Sequence, residues 1–485
     1  MNTDNLLSRV PPRYWGYLAF LAWGSITLSL LRQDPYGMNE GSAKALLLVW
    51  SVADQIASSV VTFGAPDLRA LLFAPVGFLW TGHIFAAKVF TVLSLALAVW
   101  LFYSWKRRSA DAECALLASG LLIISPLTLE QIDSLSPGVY LLLAFALGGW
   151  LDKIYRENPR PFGGWYFAQL FVSAFSASLH PAGLAYPLAL LWSWRKEPLD
   201  HKQQKYYYAG VSFVVLFTLL VRMGWHDLEW LQNPIKSLAI ITLGTFPDGE
   251  MTTVHWVAGA ITLALLIIVI FKQYRALWRD ITGRSLLIGL ALGATSSDPA
   301  WGMIALGVIL YFGFPLLLRP AQSPVGGFIH QRGAALLLII VLSTLFMRAD
   351  KAHYEIRQLG ILSAQDQLIR TLAEEAENVR KAIEENEGGT KPARLRAASQ
   401  WPSRTMIACK CDILPLPPAA KDSQTQLTML HSLTHMLFDP QLPANIMLAR
   451  NLAALGGSTS ETIALNSGGV LLRLRSQSTA SQKGG

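Results

Sequence analysis

Charge is scarce in this chain: only 15% of its 485 residues are Asp, Glu, Lys or Arg, against about 25% in an ordinary soluble domain. Cysteine is scarcer still, with three in all, too few for a disulfide framework or a zinc site. Cys114 lies at the inner end of an expected span, and Cys409 and Cys411 form a lone CxC that reads as free thiols or one strained bridge. A nucleophilic triad, a phosphate-binding Walker loop and an HExxH metal pair are all absent, and there is no internal repeat. Consecutive aromatics with basic residues on a soluble face are missing too, which speaks against nucleic acid as a partner despite a net charge of +8.

What is abundant is apolar sequence. Hydrophobic residues make up 52% of the chain and the mean hydropathy is +0.36, which points to an integral membrane protein. A bilayer core of about 30 Å needs about 20 apolar residues per helix. On that rule spans are expected near 14–31, 84–105, 112–127, 138–152, 165–179, 181–195, 206–223, 254–272, 284–296, 301–318 and 333–348, eleven in total. The first carries Arg9 and Arg13 ahead of it and has no small-x-small cleavage site behind it, so it reads as an uncleaved helix. The pair at 165–195, joined by LHPAG, reads as two short spans or a re-entrant hairpin.

Orientation follows from the basic residues. Alternate loops hold 18 of them, including Lys106 to Arg108, Lys153, Arg156 and Arg195, while the intervening loops hold 5: Arg32, Lys44, Arg69, Arg222 and Lys236. The positive-inside rule puts the N-terminus in the cytoplasm, and the 32–83 loop and everything after Met347 outside. The expected place is therefore the cell inner membrane, with a periplasmic or extracytoplasmic C-terminal part. Within the first outer loop, Ser42 to Val61 shows apolar residues at helical spacing (Leu46, Leu47, Trp50, Ala53, Ile56 and Val60), suiting a helix lying in the outer interface.

The fold class expected is an α-helical polytopic membrane protein of about eleven spans, plus a small α+β outer domain. The boundaries fall at 1–349 for the transmembrane domain, 350–475 for the outer domain and 476–485 for a disordered tail. In the outer domain, Tyr354 to Asn386 reads as an amphipathic helix, and strands are expected at Thr405–Ala408 and Val470–Leu474.

Four stretches could carry chemistry. RQDPYGMNEGS (32–42) places Asp34 and Glu40 where the first helix leaves the bilayer: either solvated loop residues or a general base for an acceptor hydroxyl or amine. The return segment holds Arg69 at its entry and Lys88 about a turn inside the bilayer. A cation there needs a partner, either an outer acid or a lipid phosphate. SPLTLEQIDSLSPG (125–138) carries Glu130 and Asp133 at a spacing that puts both on one face of a helix, as solvated acids, a cap or a second acidic site for an acceptor. LHPAGLAYP (179–187) places His180 at an outer turn, as a structural histidine or an anion contact. FPDGEMTTVH (246–255) adds Asp248, Glu250 and His255, a weaker candidate cation site.

Taken together and in this order, these stretches resemble the GT-C superfamily of polyprenyl-phosphate-sugar glycosyltransferases, over roughly residues 10 to 350. In that family a carboxylate follows the first span in a large outer loop, which re-enters through a Pro-containing aromatic segment ending in a basic residue. Asp34 or Glu40, then Pro66 to Trp80, then Lys88 look like those parts. His180 stands where the family usually has Arg or Lys, and the two acids are six apart where the family usually has adjacent Asp-Glu. The resemblance implies an inverting transfer from a lipid-linked donor. Asp34 or Glu40 would be the base, and Arg69, Lys88, His180 and Arg222 would steady the departing phosphate. No cofactor is implied, and metal dependence stays open. The implied partners are a polyprenyl-phosphate-linked sugar, membrane lipids and a glycan, lipid or protein acceptor, with a protein partner for the C-terminal domain as a further expectation. The rival readings are a non-enzymatic flippase or assembly scaffold, and a polysaccharide polymerase or ligase.

Overall fold

The computed structural model describes residues 35–54, 69–106, 112–157, 164–194, 201–222, 238, 239, 241, 253–293, 300–317, 364–385, 395–455 and 460–474. The chain forms two compact units. One comprises Met1–Leu31 and Lys88–Leu359, and the other Arg32–Ala87 and Gly360–Gly485. Residues 32–87, expected with the membrane domain, therefore group with the C-terminal part. The physical reason is a set of hydrogen bonds and apolar contacts from residues 36–50 to the C-terminal helices, described below.

In chain order the helices are α1 (Glu40–Asp54), α2 (Ala70–Leu79), α3 (Ile84–Lys106), α4 (Ala112–Ile124), α5 (Pro126–Asp133), α6 (Gly138–Glu157), α7 (Gly164–Leu179), α8 (Ala185–Trp194), α9 (His201–Arg222), α10 (Thr253–Arg279), α11 (Ile281–Gly293), α12 (Ala300–Val308) and α13 (Phe314–Leu317). The C-terminal part continues with α14 (Ala364–Glu385), β1 (Ala397–Ser399), α15 (Pro402–Cys409), β2 (Ile413–Pro415), α16 (Ser423–Leu430), β3 (His435–Phe438), α17 (Ile446–Leu455), β4 (Ser460–Asn466) and β5 (Gly469–Leu474).

Among the described residues, α3, α6 and α10, of 23, 20 and 27 residues, are long and apolar enough to cross a membrane. At about 1.5 Å per residue they reach roughly 30 to 40 Å. The α4–α5 pair, bent by 49°, would make a fourth span if counted as one. The bend has a local cause. Pro126 lacks an N–H and biases Ser125 away from helix, and Ser125 is extended at φ −57°, ψ 134°. The expected spans near 165–179, 181–195, 284–296 and 301–318 correspond to the shorter helices α7, α8, α11 and α12. Those at 14–31 and 333–348 lie outside the described residues.

Close helix packing in this unit relies on small residues. A Cβ on Gly148 of α6 would run into the Tyr186 ring of α8, and one on Gly149 into Thr282 of α11. Two pairs of buried hydroxyls satisfy each other among these apolar helices, Thr91 with Tyr140 and Ser119 with Tyr311, the second at 2.9 Å. Trp301 Nε1 donates to the Leu290 carbonyl at 2.7 Å and fastens α12 to α11.

The second unit is built on a five-stranded sheet of order β2-β1-β3-β5-β4. β2, β1 and β3 are parallel, and β5 and β4 run antiparallel. Strand alternation decides its two faces. Ala397, Leu437 and Leu471 face Leu368, Leu372 and Ala376 of α14 and Met406 of α15. Ala398, Met436, Phe438 and Leu472 face Leu430 of α16 and Leu448 and Leu452 of α17. Burying both faces is what a sheet with parallel strands requires.

Two local expectations change, and a third, the helix over 354–386, is met over its described residues. Thr405–Ala408, expected as a strand, lies in α15, because Pro402 at the first helical turn starts a helix there. The amphipathic helix expected over 354–386 is described as α14, from 364 to 385. The apolar stripe expected to lie in the membrane interface belongs to α1, where Ala43, Leu46, Val49 and Trp50 are buried by protein. A Cβ on Gly77 of α2 would strike Val49, so that stripe packs against α2.

Candidate functional site

In the first unit, the turn of α3 that carries Lys88 lies beside the end of α5. Lys88 lies in the first turns of α3 and is fully buried, and its Nζ meets Asp133 Oδ1 at 3.4 Å. Asp133 is the last residue of α5, where unpaired carbonyls make the end of a helix negative. A carboxylate there is poorly placed without a cation, and Lys88 supplies one. The α5 terminus closes in a Schellman turn. Leu135 N–H reaches the Ile132 carbonyl at 3.2 Å and Ser136 N–H the Gln131 carbonyl at 3.0 Å. The residue at the left-handed position is Leu135, φ 53°, where glycine is usual. That backbone costs about 1–2 kcal/mol in a residue with a Cβ, and burial of the Leu135 side chain offsets it.

Glu130, a turn earlier on α5, is half-buried. Gln131 between the two acids is fully buried, and neither of its amide atoms meets a partner among the described residues. Ser134 Oγ is likewise buried without one. Lys88 and Asp133 are thus brought together, with unsatisfied polar groups on the same turn. The sequence singled out the charges and missed Gln131, whose signal would have been its position between Glu130 and Asp133.

His180 sits between α7 and α8, on a turn that packs against the end of α11 through Ala182 and Gly293. Its Nδ1 accepts the Ala182 N–H at 3.1 Å, and it caps the short 3₁₀ turn Pro181–Leu184. With Nδ1 accepting, the ring proton of the neutral form is on Nε2. Gly183 is required at this turn because a Cβ would run into the Ser176 carbonyl. Arg222 is the last residue of α9.

Asp34 lies outside the described residues, as do Asp248 and Glu250 of the weaker cation candidate. In the second unit, Arg69 precedes α2, and its guanidinium lies against Gly41 of α1. Glu40, at the first turn of α1, is committed to other groups of the same unit. Its Oε1 accepts the Ser403 N–H at 2.8 Å and its Oε2 the Arg404 N–H at 3.1 Å. Burial pushes its carboxyl above the usual carboxylate range, although these hydrogen bonds and the Arg404 charge pull the other way. Arg404 pairs with Asp366, whose other oxygen accepts the Gly37 N–H at 3.2 Å. Nothing in the sequence pointed to Arg404 and Asp366 as partners of the first loop. No three His, Cys, Asp or Glu side chains gather in a way that could hold a metal ion among the described residues.

Comparison with solved structures decides the architecture. The archaeal oligosaccharyltransferase AglB from Archaeoglobus fulgidus, in complex with an inhibitory peptide and a dolichol-phosphate, superposes with a TM-score of 0.53 at 12% identity, covering 96% of this chain and 74% of that one. ArnT from Cupriavidus metallidurans, bound to undecaprenyl phosphate, gives 0.54 at 12% identity, covering 95% of this chain and 98% of that one. The chain has the GT-C fold. The apo form of the Archaeoglobus fulgidus oligosaccharyltransferase gives 0.50 at 12% identity, covering 88% and 70% of the two chains. No family model and no curated protein sequence matches. The likeness to ArnT runs through nearly the whole length of both chains, so it includes the C-terminal part as well as the helices.

Proposed function

We propose that this chain is an inverting membrane glycosyltransferase that moves a sugar from a polyprenyl-phosphate donor to an acceptor on the outer face of the membrane. One observation carries most of the weight: a GT-C fold in which a fully buried lysine meets a part-exposed carboxylate at one helix end. A buried ammonium beside a carboxylate that reaches solvent is equipped to meet an incoming anion, because the acid can turn to water while the phosphate takes its place. AglB and ArnT, whose structures hold dolichol-phosphate and undecaprenyl phosphate, support a lipid phosphate as that anion.

In this reading Asp34 removes the acceptor's proton as the acceptor attacks the anomeric carbon, and the sugar–phosphate bond breaks on the opposite side. Lys88 stabilises the charge growing on the departing phosphate, with His180, Arg69 and Arg222 assigned to the same anion. Glu40, the alternative base, has both oxygens engaged by backbone donors, which favours Asp34. Glu130 and Asp133 remain the acidic groups for an acceptor. The Cys409–Cys411 bridge supports an oxidising compartment for the C-terminal unit, in agreement with the charge bias of the loops. No cofactor is assigned.

The test is mass spectrometry of lipids retained by the gently purified protein, alongside transfer assays with polyprenyl-phosphate sugars, for wild type and Asp34→Asn. The expected result is an enriched polyprenyl phosphate in wild type and its sugar-loaded form accumulating on Asp34→Asn. Ordinary phospholipids alone in both, with no transfer from any donor, would overturn the reading in favour of a scaffold.

A further inference from the structure

In the C-terminal unit the parallel strands run in the order β2-β1-β3, so the chain leaves β1 toward one neighbour and later returns on its other side. At such a reversal, the helix that follows the central strand points its free N–H groups into the crevice at the strand ends, where α/β domains bind anions. Here that helix is α15, and the seat is filled from within the chain. The occupant is the Glu40 carboxylate, 363 residues earlier than Ser403, held at 2.8 and 3.1 Å by the Ser403 and Arg404 N–H groups.

A second fastening lies beside the first. Asp366, on the opening turn of α14, accepts the Gly37 N–H at 3.2 Å and pairs with the Arg404 guanidinium. Both groups of that pair are nearly buried, at 5% and 11% side-chain exposure, so the contact is shielded from salt. Tyr36 and Leu47 pack on the core that α14 and α15 share with the sheet. Asn39 caps α1 by accepting the Gly41 N–H at 2.9 Å, which fixes the direction in which α1 leaves this joint.

We infer that the C-terminal unit is a positioning element for the first outer loop, with Glu40 seated at the α15 N-terminus and Asp366 holding Gly37. The inference rests on the reading of Asp34 as the base. Asp34 is three residues ahead of Gly37, so the chain allows it at most about 10 Å from that anchor. Glu40 and Asp366 are positioning residues. They act through the loop and touch no reacting atom.

The experiment uses the full-length protein in nanodiscs and reads two things: hydrogen exchange at the amides of 37–43 and 403–404, and transfer kinetics. The variants are Glu40→Ala, Glu40→Gln and Asp366→Asn. Glu40→Ala and Asp366→Asn are expected to speed exchange at those amides and to lower kcat by about 10- to 100-fold each, since one lost charge-assisted bond or about 1 Å of misplacement has that effect. The donor KM and the protection of α6 stay as in wild type. Glu40→Gln, which keeps one acceptor oxygen, falls between.

Faster exchange with unchanged kcat would overturn the positioning role. So would Glu40→Gln losing turnover as completely as Asp34→Asn without any change in exchange, because Glu40 would then be the base. Amides 403 and 404 unprotected in wild type would mean that the joint does not exist. A wild-type protein that transfers no sugar ends the function reading and the positioning claim together, and protected amides would then leave the joint as a fastening only.

Discussion

The Lys88–Asp133 pair predicts an asymmetry that a simple ion pair would not show. At 3.4 Å and an effective dielectric of about 20 the two charges attract by about 5 kcal/mol, but what each substitution costs depends on what it leaves behind. Asp133→Asn leaves an ammonium with no exposed surface, stripped of this carboxylate. Removing one member of a buried pair costs about 3 kcal/mol or more. Lys88→Met leaves Asp133, whose side chain is already 29% exposed and can be hydrated, so its cost is nearer about 1 kcal/mol. The double variant Lys88→Met/Asp133→Asn removes both charges of the pair and is expected to lie within about 1 kcal/mol of wild type. For a unit of this size, 1 kcal/mol corresponds to roughly 2 °C in melting midpoint. Thermal melts of the purified protein should therefore rank Asp133→Asn well below Lys88→Met, with the double variant recovering. Equal, additive losses would refute the reasoning, and so would a Lys88→Met protein less stable than Asp133→Asn. The double variant also tests function. If Lys88 holds the donor phosphate, a stable double variant still transfers no sugar, and wild-type transfer would remove Lys88 from the donor site.

Three further outcomes follow from the geometry. His435 on β3 has its pKa lowered by burial first and the Arg473 charge second, with Glu375 partly opposing. An unfolded histidine titrates near about 6.5, so below that pH the unfolded chain takes up a proton that the folded one resists, and stability falls as pH drops. His435→Gln should flatten this fall in melts run between about pH 7 and 5, and an unaltered slope would show that His435 is not its source. Gly183→Ala drives a Cβ into the Ser176 backbone. It should cost about 1–3 kcal/mol, read as a lower melting midpoint and faster exchange at Ala182, whereas wild-type stability would contradict the close approach. Alkylation of unfolded, unreduced protein should modify Cys114 alone, and reduction should expose Cys409 and Cys411 as well. Three reactive thiols without reductant would show that the bridge is absent.

Much of the membrane part was legible because its signals are local. Apolar runs and the LHPAG turn act on their own stretch of chain, whereas the Pro126 break inside the span expected at 112–127 and the approach of Gly148 to Tyr186 came from the structure. The sheet was harder to read. β1 and β2 are three residues each, too short to show a period, and Thr405–Ala408 carries strand-like composition in a helix that Pro402 starts. The stripe on α1 illustrates a different limit. Periodicity shows that Leu46 and Trp50 share a buried face but cannot say whether lipid or protein covers it, because both are apolar.

The sequence by itself determined that this chain belongs in a bilayer, which loops carry the positive charge, and that acids and cations cluster around a few turns between apolar runs. Composition and hydropathy suffice for the first of these, since apolar runs this long and this poor in charge match the thickness of a bilayer core. Only the tertiary structure decided which acid meets which donor. Asp133 found Lys88 across 45 residues, and Glu40 found the amides of α15 across 363. Such pairings are set by where the packed helices and the sheet bring the chain back together, and a carboxylate six residues from another has no local feature to show which of the two is already engaged.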